Sequence, residues 1–117
     1  MPAGLRTHYL RELEIYQQEI RNADFPTAWR QLERAHIIGQ PWLLQHTYVH
    51  WLMLKFGIKI KNKKEILGQL PRLLVGGIKS FVGVIPTGNT GGANVSPLRK
   101  MEIPEELKNK MRPYREV

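Results

Sequence analysis

The chain has 117 residues, 42% of them apolar and 24% charged, with a formal charge of +8; these proportions fit one soluble globular domain rather than a disordered segment. It contains no cysteine, which excludes disulfides, thiolate metal sites, iron–sulfur clusters and cysteine nucleophiles, so any metal must bind through nitrogen or oxygen. The charge permits nucleic acid, anionic lipid or an acidic protein as partner, although the basic residues are dispersed apart from Lys55, Lys59, Lys61, Lys63 and Lys64, a cluster that reads first as a solvated helix junction.

From Thr7 to about Ala23, Tyr9, Leu13, Tyr16 and Ile20 recur at spacings of four, three and four, the period of one helix face. Asn22-Ala23-Asp24 breaks this helix, and Asp24 is placed to cap the next, with Pro26 in its first turn. The second helix, about Pro26 to Ile38, aligns Trp29, Leu32 and His36. Gly39 suits the left-handed position after it, and Pro41 suits the first turn of a third helix. The third, Trp42 to Phe56, aligns Leu43, His46, His50 and Met53, and Gly57 ends it. The second and third helices are therefore expected as antiparallel neighbours.

Ile37 to Leu54 lacks Asp, Glu, Lys and Arg, but the Gly39-Gln40-Pro41 break and the polar Gln45, His46 and His50 point to a buried helix rather than a membrane span. Trp29, Trp42 and Trp51 are expected in the core. The N-terminal residues show no basic stretch followed by an apolar run, so no secretory signal is expected and a cytoplasmic location is the default.

Ile58 to Lys61 alternates but has no partner strand, so it is expected as an extended connection. Asn62-Lys63-Lys64-Glu65 has the form that opens a helix, with Ile66, Leu67, Leu70, Leu73 and Leu74 as its apolar face, a kink at Pro71 and an end or second break at Gly76-Gly77. Pro86 to Asn94 is dense in Gly, Asn, Thr and Pro and reads as a loop wrapped over the helices, with an anion-binding nest of backbone amides as the alternative. Pro104-Glu105-Glu106-Leu107 opens a short terminal helix. The expected fold is mainly α: about four helices plus a short C-terminal one, covered by a long Gly/Pro-rich C-terminal wrap. It is read as a single domain over 1–117, with a helical core at 7–75, a loop segment at 76–103 and a terminal helix at 104–112.

His36, His46 and His50 fall on the apolar stripes of two consecutive helices, and imidazole is the commonest metal ligand. His46 and His50 lie one turn apart, close enough to share an ion. Zinc peptidases with this spacing carry a glutamate after the first histidine; here the residue is Thr47, so that reading falls. Glu33-Arg34-Ala35-His36 has the Glu-x-x-His spacing of di-iron bundles, but these need two such pairs and the chain has one. What is left is a mononuclear site of His36, His46 and His50, with Glu33 as orienter or fourth ligand. Such a site suits a divalent transition metal, zinc or iron foremost, with copper and nickel also accommodated. Glu33, Gln69 and Asn89 are the candidate cofactor-contacting residues. The alternative is a structural hydrogen-bond network around Glu33, Gln45 and Gln69.

Leu32-Glu33-Arg34-Ala35-His36-Ile37-Ile38-Gly39-Gln40, the following His46-x-x-x-His50, Glu65-x-x-Gly68-Gln69 and Pro86-Thr87-Gly88-Asn89-Thr90-Gly91-Gly92 together resemble a small bacterial family catalogued as domain of unknown function 3703. The resemblance spans about Phe25 to Leu107 and implies a bacterial source and a stand-alone domain. It carries no reaction and no catalytic residue with it. The expected function is thus a metal- or small-ligand-binding helical domain centred on the histidines. Its rivals are a tetratricopeptide-like hairpin that presents a surface to a protein partner, or a basic surface for nucleic acid.

Overall fold

The computed structural model describes residues 1–81, 88–95 and 100–117, with side chains for 1–73, 88–95 and 100–117. Five helices follow in order: α1 (Ala3–Arg21), α2 (Phe25–Gly39), α3 (Leu43–Lys59), α4 (Lys63–Phe81) and α5 (Glu105–Met111), with no strand among the described residues. Each of the first three packs on the next, and α5 returns to α1, in a body of 37 × 30 × 23 Å. Two starts follow their caps. Asp24 accepts from the Thr27 amide at 3.3 Å and from its hydroxyl at 2.8 Å, and the Asn62 side chain accepts from the Glu65 amide at 3.1 Å, each satisfying a donor that a helix start leaves open.

The glycines expected to stop α2 and α3 have another purpose. Neither Gly39 nor Gly57 adopts a positive φ, and α3 continues through Gly57 to Lys59, so Ile58 and Lys59 are helical rather than extended. A Cβ on Gly39 would lie 3.0 Å from the Tyr9 ring and 3.1 Å from the Gln45 Cβ, and one on Gly57 would meet Ile66 at 3.3 Å. Both glycines let a neighbouring helix approach closely. The left-handed turns between helices fall on Ala23, with φ 56°, and Lys61, with φ 57°, where an L side chain costs energy. Helix α4 likewise passes Gly76-Gly77 and reaches Phe81.

The core is a cluster of Leu5, Tyr9 and Leu13 from α1, Leu32, Ala35 and Ile38 from α2, Val49, Met53 and Phe56 from α3, and Leu107 and Met111 from α5. A fully buried Leu, Ile or Met contributes about 1.5–3 kcal/mol, so α5, short as it is, is anchored by two of them. Arg34 of α2 joins α1 to α5 by donating to Glu12 at 2.8 Å and to Glu106. Arg115 donates to the Ile37 and Ile38 carbonyls at 3.1 and 3.4 Å, placing a cation at the negative end of α2; burial lowers its pKa to about 10.

Two helices depart from their expected faces. Helix α3 buries His46, Val49, His50, Leu52, Met53 and Phe56 but leaves Leu44 77% exposed, with Leu43, Tyr48, Trp51 and Ile58 also exposed. The charge-free run is therefore not a fully buried helix, and Trp51 is not a core residue; Trp29 and Trp42 pack against the core, partly buried. Helix α4 is rotated from its pattern, with Ile66 and Leu73 half-buried. Leu67 and Leu70 are 68% and 47% exposed, whereas Glu65, Gln69 and Arg72, spaced by four and three, are buried. No helix among the described residues is long and apolar enough to cross a membrane.

Residues 88–95 lie against the inner side of α2 and α4 through hydrogen bonds to His36, Glu65, Gln69 and Arg72. Residues 82–87 and 96–99 of the expected C-terminal wrap lie outside the described residues.

Candidate metal centre

Helix α2 supplies His36 from its last turn, and α3 supplies His46 and His50 one turn apart, all three buried. The three Nε2 atoms form a nearly equilateral triangle, with His36 to His46 at 3.0 Å, His36 to His50 at 3.1 Å and His46 to His50 at 3.1 Å. The ring centroids form a larger triangle with 4.7 Å sides and planes inclined by 63–77°. Because the nitrogen triangle is the smaller, each ring points its Nε2 inward, like three blades around an axis.

Two of the three tautomers are fixed by their outer partners. His36 Nδ1 lies 2.8 Å from the Asn89 main-chain oxygen, which can only accept, so Nδ1 carries the proton and Nε2 presents a lone pair. The Gln69 amide nitrogen lies 3.0 Å from Glu65 Oε1 and 2.8 Å from the Gly91 carbonyl. Both of these accept, which settles the orientation of the amide. Gln69 Oε1 therefore faces His50 Nδ1 at 2.6 Å, Nδ1 donates, and the His50 Nε2 is a second lone pair. Two lone pairs thus meet 3.1 Å apart beside a third imidazole nitrogen, an arrangement that either a shared cation or a proton on His46 Nε2 satisfies.

The dimensions fit one. With metal–nitrogen bonds of ~2.0–2.1 Å, separations of 3.0–3.1 Å give nitrogen–metal–nitrogen angles of roughly 95–100°, between octahedral and tetrahedral values. A cavity of about 10 Å³ adjoins the triangle, bounded also by Gln40, Arg72, Asn89 and Gly91, about the volume of one small occupant. Outward from the rings, the order His50, Gln69, Glu65 ends on a buried carboxylate whose oxygens also accept the Ala93 amide at 2.9 and 3.0 Å. Metal-bound histidines commonly hold their second nitrogen in this way, through a carbonyl or toward a carboxylate.

His36, His46 and His50, which the sequence places on two helix faces without showing that the faces meet, are brought together within 4.8 Å of one another. Gln69 reaches His50 by its side chain and Asn89 reaches His36 by its main chain, while the Asn89 side chain accepts the Gly91 amide at 2.9 Å. Glu33 stands outside the three-residue set. Burial pushes its carboxyl pKa up, the Glu65 charge adds to this, and Arg30 opposes it. Gln45 gives its main-chain carbonyl to the Tyr9 hydroxyl at 3.0 Å.

Arg72 and Gly91 escaped the sequence reading. Arg72 borders the small cavity and donates to the Gly68 and Val95 carbonyls at 2.8 and 2.6 Å; burial lowers its pKa and the Glu65 charge counters this. Gly91, with φ +84°, lies on the His36 ring, where a Cβ would sit 2.6–2.8 Å from three ring atoms. The polar spacing Glu65, Gln69, Arg72 on one face of α4 was the available signal for Arg72.

No curated protein and no solved structure matches the chain. Over residues 3–111 it matches the family described as "Protein of unknown function (DUF3703)", and to that family the chain belongs.

Proposed function

We propose that this chain is a metal-binding domain that holds one divalent transition ion on the Nε2 atoms of His36, His46 and His50. The observation that carries the reading is the pair of imposed tautomers, which turn the His36 and His50 lone pairs toward one point beside His46. Three neutral imidazoles suit zinc, iron, copper or nickel. Glu65, reached through Gln69, supplies negative charge to a buried cation, against which Arg72 acts. The small cavity is sized for an ion rather than for an ion with a substrate, so the reading is of an ion held, and it assigns no reaction. The test is elemental analysis of untagged protein after reconstitution with zinc or ferrous ion. About one equivalent is expected, falling sharply in His46→Ala and His50→Ala; less than a tenth of an equivalent in the parent overturns the reading.

A second reading, docking of a protein partner, draws on the exposed Leu44, Tyr48, Trp51 and Ile58 of α3. It expects Leu44→Ser with Trp51→Ser to abolish association while leaving the metal content unchanged.

A further inference from the structure

A second and larger cavity, about 360 Å³, opens between the start of α2, the end of α3 and the start of α4. Phe25, Trp29, Phe56 and Ile60 form its apolar walls, with Glu65 and Lys64 among its polar groups. The rings are stacked in sequence, Trp29 tilted on Phe56 at 5.2 Å and Phe25 edge-on to Phe56 at 6.1 Å. A cavity of this size with aromatic walls and few polar groups has the make-up of a small-molecule site.

Charge decides what kind. Among the described residues Glu65 forms no ion pair, although it is buried. Its Oε1 is taken by Gln69 and Ala93, whereas Oε2 accepts only the Ala93 amide, which leaves that oxygen able to accept more. Arg72 acts on Glu65 from outside the lining, so within the cavity the charged groups are the buried Glu65 and the exposed Lys64. Aromatic faces beside an unpaired carboxylate attract a cation, and they do so more strongly where water is excluded. Lys64, which would favour an anion, is exposed.

We propose that this cavity binds a small organic ammonium ion borne on an aromatic body, with the ammonium on Glu65 Oε2 and the body against Trp29 and Phe56. The proposal shares Glu65 with the metal reading but does not depend on it, and metal content and ligand binding are measured separately on the same sample so that either can fail alone.

The test compares three probes that share one body, phenethylammonium, 2-phenylethanol and phenylacetate, by calorimetry and by the Trp29 indole signal in NMR. The ammonium is expected to bind about tenfold or more tighter than the alcohol, with the carboxylate weakest. Glu65→Gln should bring ammonium and alcohol to within about twofold. Phe25→Ala should weaken both and keep their ratio, and it serves as the second variant should Glu65→Gln fail to fold. Equal binding of ammonium and alcohol to the parent overturns the proposal, as does tightest binding of phenylacetate, which would assign the cavity to anions through Lys64. Absence of saturation by ~10 mM for all three probes with the Trp29 signal unmoved overturns it too.

Discussion

Gly91→Ala puts a single methyl group against the geometry of the histidine triangle. The new Cβ would lie 2.6 Å from His36 Cδ2 and 2.7 Å from Nε2, where ordinary contact begins near 3.4 Å. The ring would have to retreat by about 0.8 Å. It has nowhere to go, since Nδ1 is held by Asn89 at 2.8 Å and Nε2 faces His46 and His50 at 3.0 and 3.1 Å. An L residue at φ +84° costs about 1–2 kcal/mol, and overpacking adds roughly 1–3 kcal/mol. The expected loss is therefore about 2–5 kcal/mol of stability by denaturant unfolding of the metal-free protein. Metal affinity should fall by at least the ~10–100-fold that follows loss of a ligand's supporting partner. Gly57→Ala is the control, because its Cβ meets Ile66 at 3.3 Å on a helix that favours alanine. Should Gly91→Ala unfold within about 0.5 kcal/mol of the parent and bind metal unchanged, the packing of residues 88–95 on His36 is refuted.

Gln69→Leu strands the His50 Nδ1 donor and the Gly91 carbonyl, so it should cost about 1–3 kcal/mol and lower metal affinity ~10–100-fold, as read by unfolding and competitive chelation. Leu67→Gln with Leu70→Gln should change stability by no more than about 0.5 kcal/mol each; a loss above ~2 kcal/mol apiece would mean that α4 buries its leucines after all. Arg34→Met leaves the buried Glu12 carboxylate without its partner and should cost about 3–5 kcal/mol, with Glu12→Gln in the same chain recovering much of it. The Arg34 hydrogen bond holds the Glu106 carboxyl below the usual carboxylate range, against a smaller opposing effect of burial. The unfolded chain then binds more protons in the window below that range, so this stabilisation is present above it and lost as pH falls through the folded value. Unfolding of Arg34→Met followed against pH should lack that acid-side loss.

The inward position of the histidines was legible because His36, His46 and His50 replace apolar residues on stripes that otherwise keep helical period, and such stripes face the core; that the two stripes meet was not, since periodicity gives a face and not what it packs against. The face of α4 was not. Ile66, Leu67, Leu70, Leu73 and Leu74 recur at helical spacing, and patterning assigns such an apolar side inward by default. Here His50 and the backbone of Gly91, Ala93 and Val95 find hydrogen-bond partners in Gln69, Glu65 and Arg72; satisfying buried polar groups outweighs covering two leucines. Gly39 and Gly57 misled for a related reason. A glycine required by a tertiary approach looks, in one dimension, the same as a glycine that ends a helix, and the residues that do turn left-handed, Ala23 and Lys61, carry no such mark.

The attachment of residues 88–95 has a thermodynamic corollary. Asn89 bonds His36, Gly91 bonds Gln69, Ala93 bonds Glu65 and Val95 bonds Arg72, so this stretch cannot peel away without disturbing a histidine of the triangle, its support or the wall of the small cavity. An ion that binds only the closed arrangement suppresses local opening in proportion to its occupancy. At a free concentration of 100 times Kd the opening free energy rises by about 2.7 kcal/mol, a hundredfold fewer excursions. Amide exchange or protease cutting at Gly91 and Gly92 would then count the ions in solution.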